Sequence, residues 1–258
     1  MERIQRLFKG DRTLLSTTTL LLVTAIVFLA TFILGITSFG FALVAVPLLN
    51  LIFPLQLLVP VLIIYGVFII GLVLLPIYKH LDLKGMQYLV GAGILGVPLG
   101  TYLLLILDES ILKIGIGIII IVSAWALYTG YHVNIKNEKL GNSVAGFTSG
   151  LLNGSLTMSG PPVILFYSNQ NLEKQVFRAN LAFYFTLTNI ITLPVLYWGG
   201  LITPQVLQYS AAIVPTIPVG IVGVLLGSKL GTKMDGAFFH RLSLILIFLM
   251  GVMSIISA

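Results

Sequence analysis

Glycine, hydroxyl and amide residues cluster twice in an otherwise oily chain. The first cluster is Gly35-Ile36-Thr37-Ser38-Phe39-Gly40, running on to Pro47. The second runs from Gly146-Phe147-Thr148-Ser149-Gly150 through Asn153, Ser155, Thr157, Ser159 and Gly160 to Pro161-Pro162. Such residues open a helix and free its backbone groups, which persist in a bilayer only against protein or a wet cavity. Neutral donors of this kind suit a small oxyanion, because strong cationic pairing would slow its release. Pro161-Pro162 cannot continue an incoming helix but fits the first turn of an outgoing one, with Ser159 or Gly160 as its N-cap. A half-helix starting there aims N–H groups and a positive dipole end at an anion.

The expected substrate-binding set is therefore Thr37, Ser38 and Gly40 from the first cluster, joined by Ser149, Asn153, Ser155, Thr157, Ser159, Gly160 and Pro161 from the second. Asn180 and the Thr186-Thr188-Asn189 group, on the next span, either line the same cavity or form interhelical hydrogen bonds. Arg178 either attracts anions at a cytoplasmic mouth or anchors the helix at the interface. For Gly91, Gly93, Gly96, Gly115 and Gly117 close helix packing is the preferred reading.

Other chemistry is missing. All eight acids fall in tails, loops or helix ends, whereas a proton relay or Na⁺ site usually has a buried carboxylate. There is no cysteine and no His-Glu-x-x-His motif. His80, His132 and His240 are too scattered for a metal cluster. No catalytic residue, metal or cofactor is expected, and the chain is not read as an enzyme. The net charge of +6 sits in short inter-helix loops, where membrane topology explains it without nucleic acid.

These residues must be positioned by membrane helices. Only 9% of the chain is charged and its mean hydropathy is +1.08, too apolar to cover a water-facing surface. A β-barrel would alternate in polarity, and no such alternation is present. Spans are expected at 14–34, 55–78, 86–107, 111–131, 176–199, 205–229 and 238–257, with 143–167 interrupted and 35–53 following the first span closely. All of 1–258 forms one integral membrane domain.

Internal repeats are expected at about 14–131 and 143–257. Gly35-x-Thr37-Ser38 aligns with Gly146-x-Thr148-Ser149, Tyr65 with Tyr184, and Pro98-x-Gly100 with Pro218-x-Gly220. With eight simple spans, eight of the 14 Lys and Arg residues lie inside; if 143–167 dips in and returns, 13 do. The positive-inside rule favours the second. The expected fold is an all-α polytopic protein of seven to eight transmembrane helices, with re-entrant segments, inverted halves and a cytoplasmic N-terminus.

Gly146-x-x-Ser149-Gly150 leading to Gly160-Pro161-Pro162, the Gly-rich stretch before Pro47, and Phe177-Arg178-Ala179-Asn180 resemble the TauE/SafE family of sulfite-exporter-like permeases. Members typically carry a Gly-Gly pair where Ser159-Gly160 stands. The resemblance implies a permease or exporter of sulfite, sulfonates or related sulfur anions in a bacterial or archaeal plasma membrane. Alternating access between inverted halves is the expected mechanism; an anion channel of the same architecture and a carrier of non-sulfur organic anions are the alternatives. The expected partners are the small anion and the lipid bilayer, with a homo-oligomer left open.

Overall fold

The computed structural model describes residues 16–128, 137–168, 170 and 172–235, with isolated helical positions between 245 and 256. Among the described residues no strand occurs. The helices are α1 (Thr17–Thr37), α2 (Phe41–Leu49), α3 (Leu55–Leu74), α4 (Leu83–Ile106), α5 (Glu109–Tyr128), α6 (Glu138–Leu156), α7 (Gly160–Ser168), α8 (Lys174–Trp198), α9 (Pro204–Ala212) and α10 (Ile217–Lys233). By length and composition α1, α3, α4, α8 and the joined α9–α10 segment can each cross a membrane. Pro215 lies within the 3-10 turn Val214–Thr216 that breaks this last segment in two, and Pro218 follows in the first turn of α10, as residues without an amide donor should. The expected span 238–257 lies largely outside the described residues.

Two helices end in the same unusual way. After α1 the chain turns at Ser38 (φ 65°), and after α6 it turns at Thr157 (φ 60°). Left-handed backbone costs an L-residue about 1–2 kcal/mol, yet these are the non-glycine examples among the described residues. Each turn is followed within a few residues by a nine-residue helix, α2 or α7.

Both turns fold the chain back on itself. Ser149 lies two helical turns, about 10 Å, before the end of α6, yet its hydroxyl donates to the Ser159 carbonyl at 2.6 Å. In the first hairpin a Cβ on Gly40 would lie 3.0 Å from Ile33 Cγ2, more than a turn back along α1. The second break thus falls at Thr157. Gly146-x-Thr148-Ser149, aligned with the first break from sequence, lies inside α6 instead.

Polar contacts fix the helix directions. At the start of α8, Lys174 Nζ donates to the carbonyls of Gly231 (2.6 Å) and Met234 (2.8 Å), at the end of α10. Arg178 reaches the end of α1, and the Asn180 side chain accepts the Asp82 amide at the start of α4 (3.0 Å). This end of the bundle therefore gathers the starts of α4 and α8 with the ends of α1 and α10. Lys139, at the start of α6, joins it by lying over the Tyr88 ring (5.4 Å to the centroid).

Glycine seams lock the pairs. Gly146, Gly150 and Gly154 of α6 meet Leu89, Gly93 and Val97 of α4, while Gly223, Gly227 and Gly231 of α10 meet Phe28, Phe32 and Ile36 of α1. Both registers rise together, so each pair is parallel, and α1 runs opposite to α6. Gly93 and Gly96 serve this close packing, but Gly91 and Gly115 face open space.

Residues 14–34 were expected to form a first span, followed closely by a re-entrant 35–53. A helix long and apolar enough to cross a membrane does stand there, α1 (Thr17–Thr37), and through the turn at Ser38 α1 is also the first limb of a hairpin. It starts with α3 at the end opposite the α8 start, because the α10 seam and Arg178 fix its direction. The basic residues sort accordingly. Lys79, Lys84, Lys139, Lys174, Arg178, Lys229 and Lys233 gather at the α8-start end, and Lys113, early in α5, at the other.

Candidate anion site between two helix breaks

The two breaks line one shared cavity. The first break contributes Phe39, Gly40, Phe41, Ala42 and Leu43, and the second Thr157, Met158, Ser159 and Gly160. The middle turns of α3 and α8 close it through Leu62, Ile70, Phe185 and Asn189. It therefore lies near mid-bundle.

Its donors come from three sources. Thr157, Ser159 and Asn189 are 7%, 5% and 5% exposed, and the Thr157 hydroxyl is buried without a hydrogen-bond partner. Gly66 makes room for the Asn189 amide, whose nitrogen would lie 2.8 Å from a Cβ there. Backbone amides add to these. The first hydrogen bond into α2 runs from the Val44 amide to the Gly40 carbonyl (3.1 Å), and no side chain caps the helix. The amides of Phe41, Ala42 and Leu43 are thus the orphan first turn of a helix whose positive dipole end faces the cavity.

The second break supplies fewer amides than its sequence suggested. Pro161 and Pro162 occupy the first turn of α7 and carry no N–H, so Gly160 is the only donor among its first three residues. The first break, which has the less conspicuous motif, carries the denser array of backbone donors.

Several expected site residues hold the hairpins rather than lining the cavity. Ser149 binds the Ser159 carbonyl, Asn153 Nδ2 donates to Thr192 Oγ1 (2.9 Å), and Ser155 donates to the Leu151 carbonyl (2.8 Å). Thr37 Oγ1 accepts the Phe39 amide (3.2 Å) and lies 2.5 Å from the Phe39 carbonyl. Asn180 is engaged with Asp82. Pro161 is buried at the head of α7. Thr186 and Thr188 bond back to the Ala182 and Tyr184 carbonyls, leaving Asn189 as the member of that group on the cavity wall.

Arg178 is not at a mouth. It is 0% exposed, donating from Nε to Ser38 Oγ (2.9 Å) and from Nη2 to the Gly35 carbonyl (2.8 Å). Its cation meets the negative dipole end of α1, and Nη1 has no partner. Because Ser38 adjoins Phe39 and Gly40, the positive charge stands behind the cavity wall while neutral groups form its surface. Sequence reasoning missed Phe39, Phe41, Met158 and Phe185, because apolar side chains carry no signal in an apolar helix. Among the described residues no carboxylate is buried, and none form a group suited to a metal ion.

The sequence model of the sulfite exporter TauE/SafE family matches residues 23–254. The chain belongs to this family. Its members are membrane transporters rather than enzymes, which accords with apolar helices long enough for a multi-pass membrane protein. A probable sulfite/organosulfonate exporter TauE of Cupriavidus necator is 26% identical over 176 residues. That alignment covers 64% of this chain and 65% of the relative's length. No solved structure matches the chain.

Proposed function

We propose that the chain is a secondary transporter of a small sulfur-containing anion, sulfite or an organosulfonate, working by alternating access in a plasma membrane. The observation that carries this reading is the shared cavity. Two helix breaks bring first-turn amides and the unpaired Thr157 hydroxyl to one mid-bundle point, with a buried guanidinium behind the wall and, among the described residues, no buried acid to repel an anion. Neutral donors bind without the tight ion pair that would prevent release.

The halves are read as a duplication with inversion, with each hairpin re-entrant. Ser38 and Thr157 are separated by the same length of chain as Tyr65 and Tyr184. Each tyrosine hydroxyl lies against a glycine of the other half, Gly220 for Tyr65 and Gly93 for Tyr184. The hairpins enter from opposite ends, as inverted-repeat transporters with midplane sites require. The positive-inside rule then makes the lysine-rich end cytoplasmic. On that reading Ser16 starts α1 on the outer side, and Arg3, Arg6, Lys9 and Arg12 just before it count against the rule, so the cytoplasmic N-terminus expected from sequence is the competing placement.

The test is exchange in proteoliposomes. Labelled sulfite or methanesulfonate should exchange saturably. Ser159→Leu, which fills the cavity, should cut exchange at least tenfold at unchanged protein abundance. Single-channel currents, or a response to carboxylates alone, would overturn the assignment.

A further inference from the structure

We propose that the transported sulfur anion is singly charged, a sulfonate or hydrogensulfite, and that Arg178 is its counter-ion. This inference rests on the oxyanion reading and narrows its substrate class.

Arg178 is fully buried, and each group it bonds is neutral. Nε donates to Ser38 Oγ, while Nη2 donates to the Gly35 carbonyl and, at 3.4 Å, to Ser228 Oγ. Nη1 is buried without a partner. The acids Asp82, Asp108, Glu138, Glu173 and Asp235 are all exposed. Lys174, one turn earlier on α8, is only part-buried and feels the Asp235 charge. Lys113, also buried, makes its own contact at the other end of the bundle. Arg178 thus carries a charge that no buried carboxylate among the described residues offsets.

This charge stands next to the cavity. Gly35 and Ser38, which it bonds, each adjoin a residue of the wall, Leu34 and Phe39. On α8 the spacing of Arg178, Ala182, Phe185 and Asn189 keeps to one face, and Phe185 and Asn189 line the cavity. Phe185 lies two turns, about 10 Å along the axis, beyond Arg178. Through protein a charge acts at that range without contact, so the anion is balanced without a tight ion pair. No residue lining the cavity titrates.

Net charge then sets the preference. Empty, the site holds one uncompensated positive charge, which is costly to bury. A monoanion cancels it. A dianion leaves the opposite charge uncompensated and must also shed a tighter hydration shell. Sulfonates and hydrogensulfite therefore fit, whereas sulfate and doubly charged sulfite do not.

The experiment is competition against labelled methanesulfonate exchange in proteoliposomes, by unlabelled methanesulfonate, sulfate and sulfite across a pH series. Sulfate matches methanesulfonate in shape but carries one more charge, and it should inhibit about tenfold more weakly or worse. Methanesulfonate keeps one charge throughout and sets the baseline at each pH. Above the second ionisation of sulfite, its half-inhibiting concentration should rise about tenfold per pH unit over that baseline. Ser228→Asp places a carboxylate beside Nη2 and leaves Arg178 with its Ser38 and Gly35 bonds. Its half-inhibiting concentration for methanesulfonate should be about tenfold above that of the uncharged Ser228→Asn. Sulfate inhibiting as well as methanesulfonate, or sulfite tracking the baseline at every pH, would overturn the single-charge assignment, and both arms use the unmodified protein. Equal values for two folded Ser228 variants would overturn Arg178 as counter-ion. Failure of every sulfonate to exchange would instead overturn the oxyanion reading.

Discussion

Gly150→Ala is expected to leave almost no folded protein. The added Cβ would land inside the contact radius of the Gly93 carbonyl, with the Gly93 carbonyl carbon 2.8 Å away. The obstacle is backbone, which has no rotamer with which to yield. Overpacking typically costs about 1–3 kcal/mol where side chains can shift, and here α4 itself must move away from α6. That movement would also break the neighbouring contacts of Gly146 and Gly154 on the same seam. Gly91→Ala is the control, since nothing lies within 4 Å of a Cβ there. It should be neutral or stabilising by up to about 1 kcal/mol, the difference in helix propensity. Thermal melts and size-exclusion profiles in detergent would distinguish the two. Equal melting temperatures for the two variants would show that the seam is looser than described.

Arg178→Gln should lower transport at least tenfold without removing the protein from the membrane. The guanidinium donates to Ser38 and Gly35 from two nitrogens at once, so it holds the left-handed tip of the first hairpin against α8. That tip leads directly into Gly40 and the α2 amides on the cavity wall. Glutamine is shorter and uncharged, so it loses both the reach and the dipole complement. Arg178→Lys should recover only part of the activity, because one ammonium is a point donor and the site needs a fork. Exchange rates normalised to protein amount would test this. Undiminished transport in Arg178→Gln would remove Arg178 from any positioning role.

The sequence made the second break conspicuous because Asn153, the hydroxyl residues and Pro161-Pro162 stand out in an apolar run. Their roles were less legible. Ser149, Asn153 and Ser155 are polar for the hairpin's own hydrogen bonds, and one sequence cannot separate that need from ligand binding. The first break was underrated because its donors are main-chain amides of Phe41, Ala42 and Leu43, which side-chain identity conceals. The direction of α1 was equally hidden. It depends on the long-range contacts of Gly35 with α10 and of Ser38 with Arg178. Lys79, Lys84, Lys139, Lys174 and Lys233 lie together at one end because each flanks a helix terminus there; the charge count also put Arg3, Arg6, Lys9 and Arg12 on that side, and those lie outside the described residues.

The proposed transport cycle requires two hairpins that enter from opposite faces and meet. The chain has no cysteine, so single cysteines can be probed with impermeant thiol reagents on intact and permeabilised cells. Lys139→Cys and Glu173→Cys bracket the second hairpin and should both react only after permeabilisation. Ser16→Cys and Asp108→Cys, at the other end of the bundle, should both react in intact cells. Labelling of Lys139→Cys and Glu173→Cys from opposite faces would make α6–α7 a complete span and contradict the account.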